Sequence, residues 1–163
     1  SRDGSPIERD GFAVSQWGSG AVIDAPLASL DTSTVAGFIQ VSAEEFDALR
    51  VRSGWPAMGS EIVAGETLPA ATGVVTIAVS FTKGCYPGQE LVERMDSRGS
   101  TAPKNLRLLT GSIVDNAKPG DAVVVNGEAV GEFTSVADGC ALAYVARAVE
   151  LGVVVDATKF VDS

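Results

Sequence analysis

The C-terminal third of the chain consists of short apolar runs separated by turn residues, and this pattern restricts the fold more than any other feature. Asn126 and Gly127 stand between Val-Val-Val and Glu-Ala-Val, and an Asn-Gly pair in that setting favours a type I′ β-hairpin turn. The predicted strands cover residues 106–113, 122–125, 129–136, 141–145, 153–155 and 160–161. Short strands joined by tight turns are typical of antiparallel sheets, and we predict that these close into a small antiparallel β-barrel.

One of these runs can be interpreted in two ways. Leu142, Val145 and Val149 lie in the ambiguous stretch 140–152, and their spacing would also suit one face of a helix. We prefer a strand over residues 140–146, because five or six short strands close naturally into a small barrel.

The first half of the chain predicts further strands. Residues 11–25 alternate loosely around the turn signal Trp-Gly-Ser-Gly at 17–20, which indicates a β-hairpin. Residues 35–41 and 74–81 are apolar and rich in β-branched side chains, and each is predicted to be a strand.

A helix is predicted between these strands. Ser42 is followed three residues later by Glu45, which is the spacing of a capping box. The helix should run for about ten residues and stop at Ser53 and Gly54. Residues 57–72 have no sustained period and are predicted to form a long irregular loop, a type of segment that is often functional.

A second helix is predicted to start near Pro87 and to end near Arg98. The small, polar residues 97–104 that follow are the best candidate for a linker. We therefore expect an α+β domain over residues 1–99 and the barrel domain over residues 100–163.

The stretch Lys-Gly-Cys-Tyr-Pro-Gly-Gln-Glu at residues 83–90 concentrates reactive side chains just before the second helix. Pro87 suits the first turn of a helix, so Cys85 should lie just ahead of a helix N-terminus. Lys83 and the free backbone N–H groups there would favour a thiolate. Cys85 is the candidate catalytic residue, with Lys83 beside it. The alternatives are a small buried hydrophobe for Cys85 and a solvated cation for Lys83.

The remaining residues of this stretch are expected to shape the turn or to contact a ligand. Gly84 and Gly88 would allow a positive φ or a close backbone approach. Gln89 and Glu90 in the first helical turn could contact a ligand, or could serve as helix formers that suit the helix dipole. Cys140, which lies between glycine and alanine, is predicted to be a thiol of the core.

The composition excludes several classes of site. The 163 residues include no histidine and two cysteines, which excludes a zinc site of the usual Cys/His kind and any histidine-based triad within the chain. The cysteine contexts are unlike a disulfide framework, so we predict a reducing, cytoplasmic location. The net charge of −9 disfavours nucleic acids and anionic membranes as partners, and no run is long enough for a membrane helix.

The stretch at 83–90 resembles the signature Lys-Gly-Cys-Tyr-x-Gly-Gln-Glu of the YgfZ group of folate-binding proteins, which are relatives of the glycine-cleavage T-protein (GcvT, an aminomethyltransferase). Residues 49–56, and the chain on through Glu61, resemble the group's Leu-Arg-x-x-x-Gly-x-Pro segment, and residues 94–99 resemble its helix exit. Residues 130–135 resemble its Val-Gly-x-x-Thr-Ser segment. The resemblance covers about residues 11–155.

This resemblance implies the C-terminal part of a GcvT/YgfZ-like folate-binding body followed by a β-barrel, with tetrahydrofolate as cofactor and no metal. It implies a role in assembly or repair of iron–sulfur proteins. The implied partners are folate, iron–sulfur proteins, and either the missing N-terminal half or a second copy of the chain. The candidate folate-binding residues are Tyr86, Gln89, Glu90, Arg50 and Arg94. The arginines could pair with the anionic glutamate tail of a folate, and the alternative for them is ordinary surface salt bridges.

Two other functions stay open. One is an aminomethyltransferase of the T-protein type, which would make the chain a folate-dependent transferase that uses tetrahydrofolate as one-carbon acceptor. Arg52 speaks against it, because the T-protein pattern Leu-Arg-x-Glu-x-Gly has at that position a glutamate that holds the pterin ring. The other is a non-catalytic binding module.

Overall fold

The fold of the chain is α+β. It is known from a computed structural model that describes residues 7–9, 12–17, 20–24, 41–82, 84–97 and 102–155. The N-terminal strands β1 (Ile7–Arg9), β2 (Phe12–Trp17) and β3 (Gly20–Asp24) form an antiparallel sheet in the order β1-β2-β3. Trp17 pairs with Gly20, which confirms the predicted hairpin. Most of the predicted strand at 35–41 lies outside the described residues.

Helix α1 (Ala43–Arg52) confirms the predicted capped helix. The Ser42 hydroxyl accepts a hydrogen bond from the Glu45 N–H at 3.1 Å, and the Glu45 carboxylate accepts one from the Ser42 N–H at 2.7 Å. These two bonds satisfy donors that the first helical turn leaves without an intrahelical partner. Gly54 follows the helix with a φ of +71°, a conformation that glycine adopts without steric cost.

The predicted strand at 74–81 is wrong. Residues Val75–Ala78 form the short helix α2 instead, in which the Ala78 and Val79 N–H groups donate to the carbonyls of Val74 and Val75 at 2.8 and 3.0 Å. A β-branched run favours a strand because its side chains pack against a neighbouring strand. Among the described residues no strand pairs with this run, so local hydrogen bonds decide its conformation. The next helix, α3, spans Gln89–Ser97.

The C-terminal residues form a five-stranded antiparallel sheet. Its strands are β4 (Lys104–Thr110), β5 (Ala122–Val125), β6 (Glu128–Ala137), β7 (Cys140–Ala146) and β8 (Val153–Val154), in the order β5-β6-β7-β4-β8. Asn126 and Gly127 have φ angles of 53° and 85°, as a type I′ turn requires. The hairpin and the strand preferred over residues 140–146 are both confirmed.

The predicted barrel is wrong, because the five-stranded sheet is open. Strands β5 and β8 are its edges and do not pair with each other. The β8 strand is only two residues long, and residues Ser112–Val114 turn into a 3₁₀ helix instead of extending β4 to residue 113. A barrel requires its first and last strands to pair, and these two do not. The last predicted strand, at 160–161, lies outside the described residues.

The five-stranded sheet has a buried cluster on each face. One cluster contains Leu109, Val114, Val123, Phe133, Ala141, Ala143 and Val145. The other contains Val51, Leu106, Cys140, Leu142 and Val155. Because Val51 belongs to α1, that helix covers the second face and shares its core with the sheet. The domain boundary between residues 99 and 100 stays a prediction.

Candidate functional site

The cysteine-containing stretch ends in a β-turn that precedes α3. The Gln89 N–H donates to the Tyr86 carbonyl at 3.2 Å, and Gly88 has a φ of +83°. Proline followed by a glycine with positive φ is the signature of a type II turn. Pro87 therefore occupies the turn and not the first helical turn, contrary to the prediction.

The two glycines differ in what they require. Gly88 needs the positive φ that was expected of it. Gly84 does not have a positive φ, and a Cβ atom built on it would meet no atom within 4 Å. Glycine is therefore dictated by backbone geometry at position 88 and not at position 84.

The Cys85 side chain is exposed. Because the side chain is exposed, solvent can reach the thiol, which lies directly ahead of the turn. Lys83 lies outside the described residues, and its role beside the thiol stays a prediction.

Three of the predicted ligand residues lie close together on α3. The Gln89 side chain accepts a hydrogen bond from the Tyr86 N–H at 3.3 Å and donates to the Glu93 carboxylate at 2.6 Å. The Glu90 carboxylate pairs with the Arg94 guanidinium one turn later. Both members of this pair are exposed, with 85% and 53% of the side-chain surface accessible. The structure thus links Tyr86 to Gln89 and Glu90 to Arg94, on the turn and helix that follow Cys85.

Arg50 lies in a different environment. Its guanidinium is buried, with only 5% of the residue exposed. It donates from Nε to Asp47 at 2.8 Å, and from Nη1 to the Trp55 carbonyl at 2.7 Å and to Glu61 at 2.9 Å. Its Nη2 donates to the Ser135 hydroxyl at 2.7 Å. The guanidinium is thus engaged by four groups of this chain.

Glu61 is the centre of this network and was not predicted. Its side chain is fully buried. One carboxylate oxygen accepts from Arg50 and, at 2.9 Å, from the Ala57 N–H, and the other accepts from the Ser135 hydroxyl at 2.6 Å. The Glu61 carbonyl accepts from the Tyr144 hydroxyl at 2.9 Å. A buried charge persists only when it is paired and hydrogen-bonded, and Glu61 satisfies that condition.

Two groups near this network have raised pKa values. Burial, with a smaller effect of the Glu61 charge, raises the pKa of Tyr144 to about 12. Burial also raises the pKa of the Cys140 thiol; the Arg52 charge opposes this effect and the Asp138 charge adds to it. Cys140 is therefore a buried thiol that stays protonated, in contrast to the exposed Cys85.

An open groove of about 490 Å³ lies between the first turns of α1 and the turn that joins β6 to β7. It is lined by Ala43, Glu44, Asp47, Ala48, Val136, Ala137 and Asp138. Three carboxylates in this lining make the groove unsuitable for the anionic tail of a folate.

The described part of the chain contains no cluster of three or more His, Cys, Asp or Glu side chains that could hold a metal ion. No helix there is long and apolar enough to cross a membrane.

Known proteins resemble part of the chain. No family model matches it. Over 93 residues, which are 56% of this chain and 28% of the relative, it is 34% identical to the tRNA-modifying protein YgfZ of Escherichia coli strain SMS-3-5 / SECEC. The same protein of Escherichia coli O127:H6 strain E2348/69 / EPEC is also 34% identical, and that of Escherichia coli strain K12 / DH10B is 33% identical, over equal spans. Over this span the chain resembles YgfZ.

This similarity confirms the family resemblance drawn from the stretch at 83–90. The match spans 28% of the length of these YgfZ relatives. Most of each relative therefore lies outside the match. The relation to the glycine-cleavage T-protein stays a prediction.

Proposed function

We propose that this YgfZ-like chain binds tetrahydrofolate and acts in the assembly or repair of iron–sulfur proteins, with Cys85 as its key residue. The observation that supports the proposal best is the exposed thiol of Cys85 in the YgfZ signature, directly before the turn that opens α3. A thiol must be reachable from solvent before it can react with a bound cofactor or a partner protein.

Of the two predicted arginines, Arg94 is better placed to hold the glutamate tail of the folate. Its side chain is about half exposed, whereas four groups of this chain engage the buried guanidinium of Arg50. An incoming carboxylate could take the place of Glu90 beside Arg94, because a pair this exposed contributes little to stability. Arg50 stays a predicted folate residue, with its burial counting against direct contact.

The relatives are named as tRNA-modifying proteins, and we infer that this chain takes part in such a process through a protein partner. The chain carries a net charge of −9, which repels the phosphate backbone of RNA. An iron–sulfur protein that acts on tRNA would be a partner of the proposed kind.

The proposal is tested by titrating the protein with 5-formyltetrahydrofolate in a calorimeter. We expect binding with one ligand per chain, and Arg94→Gln should weaken it by about tenfold, because a charge-assisted hydrogen bond is lost. The matched control is Arg147→Gln, an exposed arginine that follows β7, and it should leave the affinity unchanged. Failure of the unaltered protein to bind, or equal weakening by both substitutions, would contradict the proposal.

A further inference from the structure

The turn between β5 and β6 contains two neighbouring residues that can react with each other. Asn126 and Gly127 are both exposed, and Val125 pairs with Glu128 across the base of the turn. In a two-residue hairpin turn the flanking residues make the main-chain hydrogen bonds. The N–H of Gly127 is therefore not engaged in the ladder of the hairpin.

The nitrogen of Gly127 is also sterically accessible. A Cβ atom built on Gly127 would meet no atom within 4 Å, and glycine places no side chain beside its own nitrogen. Asparagine is one of the thermolabile residues of proteins. A bond between the Asn126 Cγ atom and the next main-chain nitrogen closes a five-membered ring, so the two groups are suited to react.

We propose that Asn126 is a site of spontaneous deamidation. The Gly127 nitrogen loses its proton and forms a bond to Cγ of Asn126, and the side-chain nitrogen leaves as ammonia. Water then opens the resulting succinimide at either of its carbonyl groups. The products are aspartate and isoaspartate, which add one negative charge without any oxidation or reduction. This inference depends neither on folate binding nor on the chemistry of Cys85.

The chain has two other asparagines, and neither meets the same conditions. Asn116 is exposed and has a φ of 62°, close to that of Asn126. It precedes Ala117, however, which has a Cβ atom and whose N–H donates to the Val114 carbonyl at 3.2 Å. Asn105 lies within β4 and precedes the fully buried Leu106. The residue that follows each asparagine therefore distinguishes the three positions.

The two products have different effects on the hairpin. Aspartate keeps the turn, because Asp-Gly favours the same type I′ geometry as Asn-Gly. Isoaspartate adds a methylene group to the main chain, which is incompatible with a two-residue turn that pairs Val125 with Glu128. Among the described strands β5 pairs with β6 alone, and its Val123 is fully buried. Isoaspartate therefore weakens the attachment of this edge strand.

The first test is incubation of the unaltered protein in mildly alkaline buffer, followed by mass spectrometry of its peptides. Asn126 should gain the mass difference between an amide and a carboxyl group. Its rate should be at least about tenfold above the rates at Asn116 and Asn105, because only Asn126 precedes a residue without a side chain. Equal rates at the three asparagines would overturn the proposal.

The chain unfolded in urea supplies the reference rate for Asn126. The native rate should lie within about tenfold of this reference, since the tip of a hairpin on an edge strand opens at little cost in free energy. A slower native reaction would overturn the proposal, because the folded turn would then protect the asparagine.

Asn126→Asp is the matched control, because it carries the charge of one product and lacks the side-chain amide. The mass gain at this position should be absent from the variant. Isoaspartate, detected by enzymatic methylation, should also accumulate more slowly in the variant, because a carboxyl group loses hydroxide less readily than an amide loses ammonia. Equal accumulation of isoaspartate in the two proteins would overturn the proposal.

Discussion

At the scale of single residues, the two cysteines of this chain have opposite surroundings. Cys85 is exposed ahead of a turn, and Cys140 is buried in the cluster that α1 shares with the sheet. The thiolate is the nucleophile that attacks a thiol reagent, so access and pKa together set the rate of reaction. Burial of Cys140 lowers access and raises its pKa, and both effects slow its reaction.

We expect one thiol of the native protein to react with Ellman's reagent at the rate of an accessible cysteine, and the second to react at least about a hundredfold more slowly. The slow thiol should react at once in denaturant. Cys85→Ser should remove the fast phase and Cys140→Ser the slow one. Two equally fast thiols in native buffer would contradict the assignment.

Tyr144 should make the stability of the protein depend on pH in alkaline solution. Its pKa is about 12 in the folded state and about 10 in an unfolded chain. The unfolded state therefore loses the proton first, so the contribution of Tyr144 is complete below about pH 10 and is lost as the pH rises toward 12.

Urea unfolding at pH 9 and pH 11.5 measures this effect. Stability should fall between the two values by on the order of 1 kcal/mol more in the unaltered protein than in Tyr144→Phe, after allowance for partial solvent screening. Parallel pH profiles of the two proteins would show that the hydroxyl titrates normally.

Some of these residue-scale features could be predicted from the sequence and others could not. The burial of Cys140 follows from its apolar neighbours in the sequence. The pairing of Arg50 with Glu61 and Ser135 joins residues that are 11 and 85 positions apart, and one sequence carries no signal of such contacts. The available hint was that all three residues lie in or beside the stretches that resemble the family.

At the scale of elements, local signals predicted local structure well. The capping box of Ser42 and Glu45 marked the start of α1, and Asn126-Gly127 marked the hairpin of β5 and β6. Signals that depend on a neighbour failed. The apolar run before the cysteine stretch became α2, since no described strand lies beside it.

Gly73 lies where two distant parts of the chain approach each other closely. It precedes α2 with a φ of +76°, and a Cβ atom built on it would lie 2.0 Å from the carbonyl oxygen of Val155, just past β8. Gly65 has a similar φ of +82°, but its Cβ would meet no atom within 4 Å. The two glycines share a positive φ that would strain any residue with a Cβ atom, and they differ in the steric contact that this atom would make.

We therefore expect Gly65→Ala to lower the free energy of unfolding by about 1–2 kcal/mol, the cost of a left-handed conformation in a residue with a Cβ atom. Gly73→Ala should lower it by at least about 2 kcal/mol more, because the backbone near Val155 has to move. Equal costs in urea denaturation would show that Gly73 does not pack against Val155 in solution.

At the scale of the whole molecule, one buried cluster contains residues from both sides of the predicted domain boundary between residues 99 and 100. Val51 is fully buried in α1 and packs in one cluster with Leu106, Leu142 and Val155 of the C-terminal part. A linker-like composition at 97–104 indicates where the chain changes character. It gives no information on whether the segments on its two sides pack together.

Val51→Ala should lower the free energy of unfolding by about 2 kcal/mol, since it opens a cavity between helix and sheet. Val124→Ala is the matched control on the edge strand β5, where the side chain is half exposed, and its effect should stay within about 0.5 kcal/mol. Both are measured by urea denaturation followed by circular dichroism. Equal effects would indicate that α1 does not pack on the sheet.

The open sheet has a consequence for the behaviour of the protein at high concentration. A closed barrel has no edge strand. An open sheet has two edge strands whose unpaired N–H and C=O groups can pair with a strand from another molecule. The exposed side chains of Val124 on β5 and of Val153 and Val154 on β8 make these two edges apolar. Each molecule carries a net charge of −9, and the calculated isoelectric point is about 4.4. At neutral pH this excess of carboxylates keeps molecules apart, and acidification toward the isoelectric point removes the repulsion that prevents one sheet from growing onto the next.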